Sequence, residues 1–254
     1  MKDTRLFIDL LFAMTEKELR ARYKHTVFGF FWLVANPLLQ MLVIGFVFTF
    51  LLAQPVKNYY FFLFNGLLVW NFFSLSLSKT TPSIVYERSL IKKARFPHAV
   101  IPVSIILSNF IHFILAFILY LVPVLFLGTL TLFSAPLVLL SFVLLLTFTV
   151  GLSLLTASLN VRFRDVNFFV SALLIIWFYA TPVMYALTMI PRHLLWLWRL
   201  NPLTSILQLL QQALLGLPGP GPAMLTSNIG VILIITILGI TVFQRESKYF
   251  DDWL

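Results

Sequence analysis

The stretch FPHAVIPVSIILSNFIHFILAFILYLVPVLFLGTLTLFSAPLVLLSFVLLLTFTVGLSLLTASLNV, Phe96 to Val161, runs for 66 residues without one Asp, Glu, Lys or Arg. As a single helix rising ~1.5 Å per residue it would reach roughly 99 Å, about three times the ~30 Å hydrocarbon core of a bilayer. It must therefore fold back on itself inside a membrane. The reversal is expected at Gly128 to Ser134, where Gly, Thr and Ser interrupt Leu and Phe.

The rest of the chain fits that solvent. Hydrophobic residues make up 60% and charged residues 11% of the sequence, and mean hydropathy is +0.97, which leaves too little polar surface to cover a soluble globule. Apolar stretches between charges and Gly/Pro breaks give six expected spanning helices, near 30–53, 59–78, 100–127, 135–159, 168–187 and 225–243. The third carries Pro102 and Pro123 and is expected to be kinked or ragged at its ends.

The net charge of +9 does not indicate nucleic acid, because the basic residues lie in short segments between apolar spans rather than on one face of a soluble fold. Segments on one side of the membrane carry 15 Lys and Arg, and those on the other carry only Lys57, Arg192 and Arg199. The positive-inside rule then puts both termini in the cytoplasm. Asp9 interrupts the apolar stretch Leu6 to Met14 and no small-residue cleavage site follows, so the N-terminus is expected to be retained.

Residues 1–29 read as an interfacial helix or as a solvated helix with ordinary charge pairs, with Leu6, Phe7, Leu10, Leu11 and Met14 followed by charges that pair Glu16 with Arg20 and Glu18 with Arg22 at i,i+4 spacing. Residues 30–243 form the membrane part and 244–254 a cytoplasmic tail. Between the fifth and sixth spans, Leu203 to Leu215 is too short to cross a bilayer. It is read as a re-entrant or interfacial helix, closed by the Gly/Pro run at 216–222, or as a segment packed at the membrane surface.

No catalytic or phosphate-binding signature is present. The sequence has no H-E-x-x-H, G-x-S-x-G or G-x-x-x-x-G-K-[ST], and with no Cys it has no disulfide, thiolate or Cys-based metal site. The spans hold no charge near their midpoints, whereas an ion-driven carrier normally needs one. Any energy supply is therefore expected from another subunit. His112 is the one His in a predicted span and reads as a packing residue.

What the spans do carry is aromatic and neutral-polar: Phe28, Phe30, Phe31, Trp32 and Asn36 in the first, Asn65, Trp70 and Asn71 in the second, Asn109 in the third, and Trp177, Tyr179, Thr181 and Tyr185 in the fifth. A sugar hydroxyl entering hydrocarbon without a hydrogen bond costs roughly 2–7 kcal/mol, so a glycan needs a lined passage of this kind. The same residue types also form interfacial belts. Small residues Ser104, Ser108, Gly151, Ser153 and Ala157 permit close helix approach, within one chain or between two.

The loop Glu87-Arg-Ser-Leu-Ile-Lys-Lys-Ala-Arg95 reads as a short basic helix with Leu90, Ile91 and Ala94 on one side, suited to a partner's groove or to setting topology. With Arg20 to Trp32 leading into Asn36-Pro37, Asn160-Val-Arg-Phe-Arg-Asp165, Thr181-Pro-Val-Met-Tyr185 and Asn201-Pro202, in that order, the whole chain resembles the permease subunit of type 2 ABC exporters for polysaccharides. Related capsule and teichoic-acid systems belong to the same group, and Asn160 to Asp165 resembles the O-antigen branch more closely than the capsule permeases.

The resemblance implies an all-α integral membrane protein, one transmembrane domain over 1–254. It implies six spans, an interfacial N-terminal helix and outer re-entrant helices, working as a homodimer with two ATPase subunits in the bacterial inner membrane. ATP and Mg would be held by those partners, with no cofactor in this chain and no nucleic acid bound. Glu87, Arg88, Lys92, Lys93 and Arg95 would couple to the ATPase. Arg22, Arg162, Arg164 and Asp165 would shape the inner mouth. Phe31, Trp32, Asn36, Asn71, Trp177, Tyr179 and Tyr185 would line the route of a lipid-linked polysaccharide. Two rivals stay open: an intramembrane lipid or glycan enzyme using His112 or Asp165, and an exporter of a small lipid or drug.

Overall fold

Helix α3 (Tyr59–Thr80) is the element on which the others are laid: in the computed structural model most of its residues are buried inside the protein although its sequence is apolar enough for lipid. The structure describes residues 2–23, 31–51, 56–93, 96–131 and 133–254, and the side chains of residues 2–6, Arg22, Tyr23, Leu33 and Leu51 are not among those described. Expectations for Phe28, Phe30, Ala94, Arg95 and the Arg22 side chain fall outside these residues. Among them the fold is all-helical, with no strand.

Before α3 come α1 (Lys2–Tyr23) and α2 (Trp32–Phe46), the latter continued by a π-helical turn over Val47–Leu51. After α3 follow two short helices, α4 (Ser83–Tyr86) and α5 (Arg88–Lys93), then α6 (Val100–Leu125) and α7 (Ser134–Arg162). The charge-free stretch therefore folds back between Leu125 and Ser134, as its sequence requires. Pro123 lies inside the last turn of α6, where a missing N–H disturbs little of the helix.

Then come α8 (Asp165–Tyr179), α9 (Leu195–Leu200), α10 (Pro202–Leu215), α11 (Pro222–Glu246) and, after a short 3₁₀ turn, α12 (Phe250–Trp253). Four helical stretches, Tyr59–Thr80, Val100–Leu125, Ser134–Arg162 and Pro222–Trp253, are long and apolar enough to cross a membrane. Two shorter apolar ones, Val34–Phe50 and Asp165–Tyr179, correspond to the expected first and fifth spans.

The fifth differs from expectation at its end. The helix stops at Tyr179 rather than 187, so its fifteen residues rise only about 22 Å. Residues 180–185 form a turn that folds onto α3, with Thr181, Val183 and Met184 buried. The Tyr59 hydroxyl donates to the Met184 carbonyl at 2.7 Å. A Cβ on Gly66 would lie 2.8 Å from the Val183 carbonyl oxygen, so this turn sits directly on the α3 backbone.

Two apolar cores divide the molecule along its length. The larger joins α3, α6, α7 and α10 with Val183, Met184 and Ile232 of α11. Inside it, Phe73 stacks on Phe148 at 5.5 Å, and Trp177 meets both rings edge-on at 5.2 and 5.9 Å. The smaller lies at the Lys/Arg-rich end and gathers Ile84, Ile91, Ile101, Leu154, Ala157, Val161, Phe243, Phe250 and Leu254.

Helices α7 and α11 cross closely. A Cβ built on Gly151 would stand 2.5 Å from the Thr236 Cα, and one on Gly239 would strike the Gly151 carbonyl. Thr236 also donates its hydroxyl to the Thr147 carbonyl at 3.1 Å. Such small-residue contacts are what let apolar helices associate where lipid removes the hydrophobic driving force.

Candidate functional site

At the Lys/Arg-rich end, α5 is anchored by one side chain. Ile91 is buried in the smaller core while Arg88, Ser89, Lys92 and Lys93 face outward. Pro82 begins this segment, and the Thr80, Thr81 and Ser83 hydroxyls donate to the carbonyls of Ser76, Leu77 and Thr80, closing the end of α3 on itself. Thr81 also donates to Thr156 Oγ1 of α7 at 3.0 Å. Glu87 at the head of α5 accepts from Lys17 Nζ at 2.6 Å, which fixes α1 to this corner, and Arg20 pairs with Glu16 along α1.

The residues expected at an inner mouth lie close to that corner. Arg162 ends α7, and its guanidinium lies 5.2 Å from the Phe163 ring centroid and 5.5 Å from that of Trp253. Arg164 precedes α8 and Asp165 opens it, both exposed. A carboxylate at that position complements the positive N-terminal end of the helix dipole.

Toward the middle, Asn36 and Asn71 are brought together by a residue that the sequence reading passed over. Gln40 Nε2 donates to Asn36 Oδ1 at 3.2 Å, and Asn71 Nδ2 donates to Gln40 Oε1 at 3.1 Å, forming a polar ladder between α2 and α3. The signal for it was the i,i+4 spacing of Asn36 and Gln40. At the start of α2, Phe31, which precedes it, and Trp32, its first residue, are exposed, at 64% and 50%.

At the other end, Trp177, Tyr179 and Tyr185 form one hydrogen-bonded unit with two residues not singled out for the site, Trp198 and Asn201. Trp177 Nε1 donates to Asn201 Oδ1 at 3.1 Å, and Asn201 Nδ2 donates to Thr181 Oγ1 at 2.9 Å and to the Ala180 carbonyl at 3.3 Å. Trp198 Nε1 donates to the Tyr185 hydroxyl at 2.7 Å, which in turn donates to the Tyr179 carbonyl. Tyr179 itself projects outward, 61% exposed.

Asn201 has a further task. Its Oδ1 accepts from the Leu203 N–H at 3.2 Å, so Asn201 caps α10, and Pro202 follows in the first helical position where its missing N–H costs nothing. Gly216 ends α10 in the left-handed conformation at φ +64°. Almost all of α10 is buried, and Ser134 Oγ and Thr129 Oγ1 donate to its last carbonyls, Ala213 and Leu214. A short helix is thus built into the end of the bundle, against α7, α3 and α11.

His112 is buried within α6 and Asp165 is exposed at the start of α8. Among the described residues no three of His, Cys, Asp and Glu lie close enough to hold a metal ion.

The sequence that folds in this way matches a known family model over most of its length. The model described as ABC-2 type transporter covers residues 9–215. The chain belongs to the ABC-2 type transporter family.

Its curated relatives match over nearly the whole length. An O-antigen export system permease protein RfbA of Myxococcus xanthus is 36% identical over 243 residues, 93% of either chain. Two proteins of the same description from Klebsiella pneumoniae are each 33% identical over 255 residues, covering 97% of this chain and 95% of theirs. Several long apolar helices fit a membrane protein of this family.

Proposed function

We propose that this chain is the permease subunit of an ATP-driven exporter that moves a lipid-linked, O-antigen-like polysaccharide out of the cytoplasm across the bacterial inner membrane. The observation that carries the reading is the near-full-length likeness to permeases named for O-antigen export, at 36% and 33% identity. Two copies pair, because six packed helices leave little room for a sugar chain and a symmetric interface supplies it. The six spans are α2 with its π turn, α3, α6, α7, α8 and α11. Helices α9 and α10 re-enter from the outer side, and both termini are cytoplasmic.

Each permease carries one ABC ATPase subunit, which binds ATP and Mg. The coupling surface is α5 with Glu87, Arg88, Lys92, Lys93 and Arg95. Its support is geometric: cations face out while Ile91 is held in the smaller core, so a push on the exposed side reaches α7 and α11 through packed side chains. Arg22, Arg162, Arg164 and Asp165 shape the inner mouth.

Phe31, Trp32 and Tyr179 offer exposed aromatic faces for sugar rings, and the Asn36–Gln40–Asn71 ladder offers amides for hydroxyls. Trp177 and Tyr185 hold the outer turn that presents Tyr179. Neutral amides and ring faces bind each sugar weakly and repeatedly, as sliding requires.

Deleting the chain from its host is expected to leave the lipid-linked polysaccharide inside the cell, and Lys92→Glu with Lys93→Glu is expected to do the same with normal permease abundance. Unchanged surface polysaccharide after deletion, or turnover of a lipid-linked glycan by the purified chain alone, overturns the reading.

A further inference from the structure

Phe250 in α12 is fully buried, yet it belongs to a four-residue helix whose next two residues, Asp251 and Asp252, are exposed. A helix this short has no stability of its own, so packing alone holds it. Phe250 shares the smaller core with Ile84 of α4, Ile91 of α5, Ile101 of α6, Val161 of α7 and Phe243 of α11. Its ring meets Phe243 edge-on at 5.5 Å and stacks on His98, which lies between α5 and α6, at 5.8 Å. Three residues on, Trp253 lies under the Arg162 guanidinium that ends α7. One short segment thus touches the linker behind α5 on one side and the ends of α7 and α11 on the other.

Helix α5 needs such a support. It has six residues and one buried side chain, so a force on its cationic face meets little resistance from α5 itself. The buried groups behind Ile91 decide where that force goes, and close-packed interiors transmit displacement where voids absorb it.

We infer that α12 is a coupling wedge, with Phe250 and Trp253 as positioning residues that make α7 and α11 move together with α5. The wedge rests on the proposed role of α5 as the ATPase contact, and the experiment separates the two.

The sequence contains no Cys, so spin labels can be placed at Ser89→Cys on α5 and Gln244→Cys on α11, both exposed, in the permease assembled with its ABC ATPase in lipid. Nucleotide is expected to displace both labels. In Phe250→Ala the Ser89 signal persists while the Gln244 displacement falls roughly fivefold, the lower end of ordinary coupling factors. Phe250→Leu restores most of it, and Trp253→Ala, at the rim of the core, gives an intermediate loss without loss of assembled complex.

An undiminished Gln244 response in Phe250→Ala and Trp253→Ala, with Ser89 still responding, overturns the wedge and leaves the role of α5 intact. Loss confined to the amount of assembled complex, with normal displacement in what remains, also overturns it. No Ser89 response in the unaltered permease overturns the reading of α5 on which the wedge depends.

Discussion

Lys17 of α1 and Glu87 at the head of α5 are joined by an ion pair of 2.6 Å across seventy positions of sequence. Lys17 is 54% exposed and Glu87 28%, so the pair contributes only about 0.2–1 kcal/mol to stability. Its value is geometric, because it ties α1 to the head of α5, the proposed contact for the ATPase. Lys17→Glu or Glu87→Lys alone is expected to lower export several-fold at unchanged protein abundance, and the double charge exchange to restore it. Surface polysaccharide measured beside membrane abundance checks this, and failure of the exchange to rescue rejects the geometric role.

The α7–α11 crossing is the second point of leverage. Gly239→Ala forces a methyl into the Gly151 carbonyl, and the helices have to separate. Overpacking of this kind typically costs about 1–3 kcal/mol. A lowered unfolding midpoint in detergent is expected for Gly239→Ala and for Gly151→Ala, whereas Gly230→Ala, which meets nothing nearby inside the same helix, is expected to hold or raise the midpoint.

Much of this architecture was legible because charge is so expensive in hydrocarbon. The run from Phe96 to Val161 had to be two helices, and the break it needed fell where Gly128 and Ser134 stand. Asn201-Pro202 carried its own helix-start signal, and Gly216 the matching stop. The end of α8 was not legible, since Pro-Val-Met at 182–184 is apolar like a span. Those residues are buried against Tyr59 and Gly66, more than a hundred positions away, and periodicity carries no information at that range. Gly151 shows the same limit: its smallness announced a close approach, and only the structure assigns that approach to Thr236 and Gly239 of the same chain. Of the site, Asn36 and Asn71 were readable as polar residues in apolar helices, but Gln40, which connects them, was visible only as a neighbour at i+4.

Gln40→Leu tests whether that ladder serves transport. The substitution removes one partner from a half-buried Asn71, at a cost of about 1–3 kcal/mol and near the lower end because Asn71 keeps some access to other partners. Stability in detergent is expected to fall by about 1 kcal/mol. If the ladder lines the proposed route, export is expected to fall further than abundance does, because the amides of Asn36 and Asn71 lose their fixed orientation. Export that tracks abundance in Gln40→Leu, Asn36→Leu and Asn71→Leu alike assigns the ladder to packing only.

Asn201 joins the end of α8, the turn after it and the start of α10 through one side chain. Asn201→Ala loses the α10 cap, about 0.5–2 kcal/mol, and strands the Trp177 indole N–H among apolar neighbours, about 1–3 kcal/mol. Their sum is expected to be roughly 1.5–5 kcal/mol. Trp177→Phe keeps an aromatic ring against Phe73 and Phe148 but loses the N–H donor and the second ring of a half-buried indole; with the α10 cap left in place it is expected to cost less. Asn201→Asp keeps both accepted bonds, from Leu203 and Trp177, but loses the two donated to Thr181 and Ala180 and sets a carboxylate against a carbonyl. The expected order of stability is therefore Trp177→Phe, then Asn201→Asp, then Asn201→Ala, read by thermal unfolding of the purified permease. If Trp177→Phe proves as damaging as Asn201→Ala, the ring packing rather than the hydrogen-bonded junction holds the C-terminal end of α8 in place.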